Sequence, residues 1–434
     1  MIAAARLVIG LAVALCANAY LVVFLRRWTR ALSRPRVFYA VIGALAAAQL
    51  LMMLERSLAH AGAPTWLMRA YAPLLLWSAT LVQVVPALLV IDLVLRLLDR
   101  RGRAARRRGP EGEPQFAGEE AERAVLQHLS SRAHGEVSTP RPTAPALEDA
   151  PDAVRRRFLG QIGASTAFTV VGVPLLWGNR RTRFDVELVE LPVRIARLPR
   201  VLDGFSIVQV SDIHVGAFLG ERELARAEEQ VTALRPDLLV MTGDLVHLRL
   251  ADVAPATAWL GRIRARARHG LIAIPGNHEY YVGRDAVLDA ARAVGADVLL
   301  NQGRLVAPRD GGGFAIVGAD DVQGLLSRQG PGPRVDEALF ALPPDAPRVL
   351  LCHQPQFFDT AASYGFDLQL SGHTHGGQIA PLGPLVARAA YRYVAGLYTS
   401  GRARLYVNRG LGTSGPPSRV GVRPEITKIV LVAG

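Results

Sequence analysis

Cysteine and lysine are the residues that this chain uses least. Its 434 residues include two cysteines, Cys16 and Cys352, and this number excludes a framework of disulfide bonds. The formal charge of +13 comes with almost no lysine, and many of the arginines flank apolar segments. Because the C-terminal half has no basic stripe interleaved with aromatic residues, we expect no nucleic-acid partner.

Long uncharged runs occupy the first hundred residues. Residues 7–25 and 37–54 carry no charge, and a third apolar run lies within 71–98. Each run is long enough for the roughly 20 residues that a membrane-spanning helix needs. Three such runs favour a membrane region with three transmembrane helices over residues 1–98, rather than the buried helices of a soluble protein.

Arginine placement predicts how these helices are oriented. Short cytoplasmic loops are enriched in positive charge. Five arginines lie between the first two spans, two lie between the second and third, and the run "RRGRAARRRG" follows the third. The first connection and the residues after the third span are therefore predicted to be cytoplasmic. The arginines of the two connections are Arg26, Arg27, Arg30, Arg34 and Arg36, then Arg56 and Arg69.

Two segments join this region to the C-terminal half. Residues 99–157 are rich in Pro, Glu, Ala and Arg and are predicted to be a disordered cytoplasmic linker. Residues 158–178 follow three arginines, as in a twin-arginine export signal, although a fourth transmembrane helix explains the same pattern. Both interpretations place the rest of the chain outside the cytoplasmic membrane. Membrane lipids and the twin-arginine export machinery are the partners that they imply.

The C-terminal half, residues 183–434, alternates short β-branched runs with helical stretches, which is typical of a layered α/β domain. Strands are predicted at "FSIVQV", "DLLVM", "LIAIP", "RVLLC" and "FDLQL", with helices near 221–234, 252–267 and 284–294. The runs "GFAIVGA", "ARLYVN" and "EITKIVLV" are predicted to form further strands of a second sheet.

A polar cluster stands at the end of each of the first five strands. The clusters are "SDIHVG", "TGDLVH", "PGNHEYY", "CHQP" and "SGHTHGGQI". Loops at strand ends are where an α/β scaffold presents its chemistry. Two carboxylates, one amide and five imidazoles form a donor set that suits Mn, Fe or Zn better than Ca or Mg alone. The donors are Asp212, His214, Asp244, Asn277, His278, His353, His373 and His375.

This ordered set of motifs, D-x-H, GD, GNHE, H and GHTH, resembles the calcineurin-like metallophosphoesterase superfamily. The tail "NRGLGTSGPPSRVGVRPEI" and the membrane segments further resemble a bacterial membrane-associated phosphodiesterase branch with a twin-arginine-like segment. The resemblance implies a four-layer α/β/β/α domain after the transmembrane helices, and two divalent metal ions, with Mn, Fe or Zn expected.

The resemblance also implies a role for each matching position. One ion would be held by Asp212, His214 and His375, and the other by Asn277, His353 and His373. Asp244 would bridge the ions, and His278 would approach the substrate phosphate as a proton donor without binding metal. In the last motif, Gly372, Gly376 and Gly377 permit close approach of the backbone, and Thr374 is expected to point away.

The sequence therefore predicts a membrane-anchored two-metal phosphoesterase of the cytoplasmic membrane, whose catalytic domain lies outside it. Its substrate would be a phosphodiester or phosphomonoester, with envelope compounds and lipids as possible sources. Two alternatives stay open. The protein is a membrane sensor or interaction protein that only binds a ligand, or it is a phosphodiesterase that faces the cytoplasm.

Overall fold

A computed structural model of the protein describes residues 2–28, short pieces between 36 and 59, and residues 61–107, 150–306 and 312–434. The N-terminal helices are α1 (Ile2–Trp28), α2 (Thr65–Ala70), α3 (Ala72–Arg107) and α4 (Ala150–Arg180). Among the described residues, two helical stretches are long and apolar enough to cross a membrane, Thr65–Leu98 and Arg157–Phe184. Most of the predicted second span lies outside the described residues.

The predicted linker over 99–157 is shorter than expected at both ends. Helix α3 continues to Arg107, and helix α4 already begins at Ala150. Alanine and arginine are good helix formers, so the helices continue beyond the apolar spans. The rest of the predicted linker, residues 108–149, lies outside the described residues.

The C-terminal half is built from two six-stranded sheets. The first sheet has the order β1 (Glu187–Ile195), β12 (Glu425–Ala433), β2 (Ser206–Val210), β3 (Leu238–Thr242), β4 (Leu271–Ile274) and β5 (Asp297–Val298). The second has the order β10 (Gly396–Ser400), β11 (Ala403–Val407), β9 (Leu368–Ser371), β8 (Arg348–Leu351), β7 (Phe314–Gly318) and β6 (Gln302–Val306).

One predicted strand belongs to the other sheet. The run "EITKIVLV" forms β12, which pairs in parallel with β1 and antiparallel with β2 in the first sheet. Its side chains are buried on both faces, with Ile426 in one core and Ile429 in another. A strand buried on both faces has the same apolar pattern in either sheet. The periodicity of the sequence therefore could not show to which sheet β12 belongs.

Shorter helices connect and cover the strands. They are α5 (Glu221–Ala233), α6 (Val253–Arg264), α7 (Asn277–Val282), α8 (Arg284–Ala293), α9 (Val322–Ser327), α10 (Asp336–Phe340), α11 (Phe358–Ser363) and α12 (Leu382–Ala390). Helix α5 shows how they form: the Glu223 side chain accepts a hydrogen bond from Gly220 N, and Leu224, Ala227 and Val231 form one buried stripe.

Three apolar cores give this half its layers. One core joins the first sheet to helices α5, α6 and α8, with Trp259 fully buried at its centre. A second core lies between the sheets and includes Ile207 from one and Phe314 from the other. A third packs the second sheet against α10 and α11. The domain is therefore a mixed α/β fold in which two facing sheets are covered by helices.

Parts of the N-terminal region pack on this domain. The chain forms two compact units, one of which comprises Met1–Leu15, Gly43–Gln83 and Thr169–Gly434. Within that unit, Arg69 Nε donates a hydrogen bond of 2.8 Å to Ala217 O, and Arg249 Nη1 donates one of 2.9 Å to Thr65 Oγ1. The Ser418 hydroxyl donates to Leu175 O at 2.8 Å. The second unit comprises Cys16–Ile42 and Val84–Phe168.

Candidate metal centre

The loops that carry the predicted ligands follow the carboxyl ends of five strands. Strands β2, β3 and β4 are parallel neighbours in the first sheet, and β8 and β9 are parallel neighbours in the second. Strand ends of one direction meet at one edge of a sheet, and the two sheets present these edges to each other. The ligand positions are Asp212 and His214 after β2, Asp244 after β3, Asn277 after β4, His353 after β8, and His373 and His375 after β9.

Asp212, His214 and His375 form the first group of donor atoms. His214 Nε2 lies 3.0 Å from His375 Nε2, and His375 Nε2 lies 3.5 Å from Asp212 Oδ1. Ligands about 2.1 Å from one ion at a tetrahedral angle lie about 3.4 Å apart. All three side chains are buried, so the spacing and the mixture of imidazole and carboxylate fit one transition-metal ion.

Asn277, His353 and His373 form the second group. Asn277 Oδ1 lies 2.8 Å from His373 Nδ1 and 3.2 Å from His353 Nε2, and the two ring nitrogens are 3.3 Å apart. One amide oxygen and two imidazole nitrogens thus converge on a common point. This group is tighter than the first, in which His214 Nε2 and Asp212 Oδ1 are 4.0 Å apart, and it adds no carboxylate of its own.

The Asp244 carboxylate lies between the two groups. Its Oδ2 atom is 3.6 Å from His214 Nε2 and 3.3 Å from His353 Nε2, so it is near one member of each group. Its Oδ1 atom accepts a hydrogen bond of 2.8 Å from His278 N. The hydrogen bond from His278 N to Oδ1 therefore orients the carboxylate. The other oxygen, Oδ2, faces both groups and does not take part in that bond.

A hydrogen bond to the backbone also orients the ring of His353. Its Nδ1 atom lies 2.7 Å from Thr242 O, and a carbonyl can only accept, so the proton of the ring is on Nδ1. The Nε2 atom, which faces the second group, then carries the lone pair in the neutral ring. An imidazole held by such a carbonyl contact is a typical metal ligand.

Burial and mutual charge set the protonation of the cluster. Burial lowers the pKa of His214 and of His375 and lowers that of His373 to about 3, so these rings are neutral at pH 7. Burial works against ionisation of Asp244, but the charges of His353 and His278 outweigh it and hold the pKa of Asp244 well below its usual range. The neutral rings keep lone pairs available for cations.

His353 and Asp212 depart from that pattern. Burial disfavours the charged ring of His353, but Asp244 outweighs it and raises the pKa of His353 well above its usual range. Burial raises the pKa of Asp212 to about 6, although the charge of His353 opposes the shift. At pH 7 Asp212 is therefore mostly ionised, whereas a cation that binds at His353 Nε2 must displace a proton, which is the usual linkage between metal binding and pH.

The backbone at the site is conformationally strained. Five of the predicted ligands have positive φ angles although none is glycine, and this region is sparsely populated by L-residues. Such conformations persist where surrounding structure imposes them, and they cluster at functional sites. The φ angles are 49° for Asp212, 50° for His214, 56° for Asp244, 75° for His373 and 50° for His375.

His278 lies beside the metal-ligand cluster. Its ring centroid is 4.5 Å from that of His214 and 5.1 Å from that of Tyr281. Its Nδ1 donates to the carbonyl of His247, so the ring orientation is fixed and Nε2 is left for another contact. His247 is half-buried, and its ring stacks on that of His278 at 5.3 Å.

Three residues to which the sequence assigned no role support the site. Glu279 is buried and accepts hydrogen bonds from Asp244 N, Leu245 N and Gly276 N at 2.9, 2.8 and 2.6 Å. Arg419, also fully buried, donates hydrogen bonds to His375 O at 3.3 Å and to Gly412 O at 3.1 Å. Tyr391 places its hydroxyl 3.5 Å from His373 Nε2. Glu279 lies in the GNHE motif and Arg419 in the tail motif, whereas no motif contains Tyr391.

Other side chains around the motifs have structural roles. Cys352 is buried, and burial raises the pKa of its thiol, so it is a core residue and not a nucleophile. The Thr374 hydroxyl donates to Val394 O and points away from the ligands, as predicted. Asp320 and Asp321 are both buried: Asp320 accepts from the Tyr280 hydroxyl, and Asp321 caps helix α9.

Comparison with protein families gives one match in this region. The model of the calcineurin-like phosphoesterase family matches residues 205–377, which contain all five motifs. An uncharacterised metallophosphoesterase of Bacillus subtilis (strain 168) is 32% identical over 289 residues, covering 64% of this chain and 97% of that protein. The match therefore extends over nearly the whole length of the bacterial protein.

Two vertebrate relatives are each described as a transmembrane protein with a metallophosphoesterase domain. The protein of Danio rerio is 32% identical over 272 residues, and the one of Bos taurus is 34% identical over 279 residues. The matched regions cover 61% and 62% of this chain and span 62% and 61% of those proteins. A solved dimetal phosphatase of Danio rerio aligns with 53% of this chain and 93% of its own at 13% identity and a TM-score of 0.34.

Proposed function

The chain belongs to the calcineurin-like phosphoesterase family and is a metal-dependent hydrolase, and on this premise we propose that it is a membrane-anchored two-metal phosphoesterase that acts outside the cytoplasmic membrane. The observation that carries the proposal is the convergence of seven buried or half-buried donor side chains into two groups that share Asp244. Asp212, His214 and His375 would hold one ion, and Asn277, His353 and His373 the other.

Divalent ions bound there would neutralise charge on the phosphoryl group and provide a strong nucleophile at neutral pH. The residues of the chain supply orientation and protons. In hydrolysis, water loses one proton as its oxygen bonds to phosphorus, the bond from phosphorus to the leaving alcohol breaks, and the leaving oxygen takes up one proton. The charged form of His278 is suited to give that proton from Nε2, since the His247 carbonyl accepts from Nδ1 and fixes the ring. The proton that water releases balances the one that His278 gives up.

The orientation in the membrane is supported by the candidate span Thr65–Leu98. Its first residue, Thr65, accepts a hydrogen bond from Arg249 in the catalytic domain, and Arg69 bonds to Ala217. Its other end, Leu98, is followed by the run "RRGRAARRRG". Because arginine-rich connections stay in the cytoplasm, the end that contacts the catalytic domain is external. The twin-arginine-like segment before 158–178 is consistent with the same side.

Hydrolysis by the purified full-length protein in detergent tests the proposal. We expect it to cleave p-nitrophenyl phosphate, bis(p-nitrophenyl) phosphate or both with Mn²⁺ or Zn²⁺, and to stop when a chelator is added. Replacing His278→Asn should lower kcat by about 10²- to 10⁴-fold, because a proton donor is lost. Bound metal, measured by elemental analysis, should stay at two ions per chain.

His269→Asn is the matched control, since His269 stacks on Phe205 at 5.4 Å and belongs to neither group. It should keep full activity. Hydrolysis that is unaffected by the chelator would contradict the two-metal mechanism. A protein that binds both ions but cleaves neither substrate, with a cellular phenotype that survives His278→Asn, would instead support the sensor alternative.

A further inference from the structure

An apolar groove lies beside the candidate metal centre. Its volume is about 470 Å³, and one wall is helix α12 while the other is the part of α3 near Val82. The floor is formed by the loop that follows the GHTH motif, including Gly377 and Gln378. All of these residues belong to one compact unit of the chain. The sequence singled out only those groove residues that belong to the motif "SGHTHGGQI" or to the tail, which contributes Ser414 and Pro416.

The groove adjoins the metal centre at two side chains. His375, a member of the first donor group, lines it directly. Tyr391 lines it as well, and its ring centroid is 5.6 Å from that of His373 in the second donor group. A molecule whose phosphate reached the donor groups could therefore extend its remaining part along the groove.

The length of the candidate span bears on where the groove would lie relative to the membrane. The candidate span Thr65–Leu98 has 34 residues, whereas about 20 residues cross the hydrocarbon layer. If the last 20 residues before the arginine run fill that layer, the part near Val82 lies at its outer boundary. The groove then opens where the apolar chains of lipids begin.

Apolar side chains in the groove are left exposed among the residues that the structure describes. Val82 is 56% exposed and Val386 is 61% exposed, on opposite walls. Removing such surface from water is favourable, and an alkyl chain lying between the walls would do so. The groove thus places exposed apolar side chains next to a candidate anion-binding metal centre.

We infer that the substrate is an amphiphilic phosphate ester, whose alkyl chain lies in the groove between α3 and α12 while its phosphate reaches the metal centre. This inference rests on the proposed phosphoesterase function and names the class of its substrate. It assigns the groove to the substrate of the enzyme itself, and not to a protein partner or a second copy of the chain.

A series of p-nitrophenyl alkyl phosphodiesters with methyl, butyl, hexyl and octyl groups tests the inference. The full-length protein in detergent is assayed with Mn²⁺, at substrate concentrations below aggregation. We expect kcat/KM to rise by about two- to fourfold for each methylene group that the groove buries. The readout is the ratio of octyl to methyl kcat/KM within each variant, which does not depend on the fraction of active protein.

Two matched pairs of variants locate the effect. Val386→Glu, in the groove, should lower the octyl-to-methyl ratio, whereas Leu385→Glu, an exposed neighbour on the same helix that does not line the groove, should keep it. Ala390→Trp should obstruct the groove and lower the ratio, and Ala389→Trp should not. The second pair decides the matter if the charge in Val386→Glu prevents folding.

The outcomes separate this inference from the proposed function. If the methyl ester is cleaved but kcat/KM is independent of chain length, the inference is wrong while the phosphoesterase function stands. If no ester in the series is cleaved with any metal, the proposed function itself fails. A flat series together with a changed oligomeric state in Val386→Glu would assign the groove to a second copy of the chain.

Discussion

Glu279 shows how a residue outside the predicted ligand set can control it. Its buried carboxylate accepts three backbone hydrogen bonds, two of them from the turn that carries Asp244. Burial and the charge of Asp244 raise the pKa of Glu279, while these backbone bonds oppose the shift. Burial deprives the Glu279 carboxylate of part of its solvation. Its hydrogen bonds in turn hold the backbone at Asp244, whose φ of 56° is unfavourable by itself.

We predict that Glu279→Gln destabilises the protein by about 1–3 kcal/mol, because one acceptor oxygen becomes an amide group that donates and faces an N–H donor. Thermal unfolding in detergent, followed by scanning calorimetry, should show a lower Tm. Activity should fall at saturating metal, since the Asp244 turn loses its support. Glu229→Gln, on an exposed position of α5, should leave both unchanged. Equal Tm values for the two variants would refute the role given to Glu279.

At the scale of elements, the site depends on turns after the strands whose backbone lies very close to the ligand side chains. A residue with a Cβ atom would not fit at these positions. Gly243, between β3 and Asp244, has a φ of 91°, and a Cβ there would lie 2.6 Å from His353 Nδ1. The same turn supplies the Thr242 carbonyl that holds the His353 ring. Gly372 is comparable, because a Cβ there would lie 2.0 Å from Asp212 Oδ2. Close approach of backbone to ligand thus requires glycine at these turns.

Gly243→Ala should therefore abolish binding of the second ion, because the added methyl group displaces the His353 ring. Gly270→Ala is the control: its φ is 75°, so the backbone strain is similar, but a Cβ there meets no atom within 4 Å. We expect Gly270→Ala to cost about 1–2 kcal/mol of stability and to keep both ions. Elemental analysis of the purified variants checks this. Loss of metal in both would mean that strain, and not the contact with His353, is responsible.

At the scale of the whole molecule, the question is on which side of the membrane the catalytic domain lies. We predict that a cysteine introduced by Arg402→Cys, on the exposed turn between β10 and β11, reacts with a membrane-impermeant maleimide in intact cells. The background carries Cys16→Ala, and Cys352 is buried. Arg101→Cys, after the third predicted span, should react only after lysis. The reverse pattern would place the enzyme in the cytoplasm.

The same assay separates the two interpretations of residues 158–178. Changing Arg155, Arg156 and Arg157 to lysine keeps the positive charge that orients a transmembrane helix. A twin-arginine signal, by contrast, is recognised through its arginines. If labelling at Arg402→Cys persists in the lysine variant, the segment acts as an ordinary span. If labelling is lost, export depends on the twin-arginine machinery.

Much of the site could be predicted from the sequence because its chemistry is local. Each ligand lies within a few residues of a strand end, and the short apolar runs that form β2, β3, β4, β8 and β9 are recognisable one at a time. Residue type and order within "SDIHVG" or "SGHTHGGQI" do not depend on the rest of the fold. The buried Cys352 and the outward Thr374 follow from the same local patterns.

Only the tertiary structure decided which distant segments meet. The sheet that contains β12 depends on pairing with β1 and β2, some 220 to 240 residues away, and apolar periodicity carries no information about partners. The Arg419 side chain donates to His375 O, and the Glu279 side chain accepts from Asp244 N. Both side chains are polar yet fully buried, and packing decides which polar side chains are buried. The groove between α3 and α12 likewise exists only where two separate helices meet. The sequence determined the donors and their order along the chain, whereas three-dimensional packing decided their geometry, because contact between remote residues depends on the whole fold.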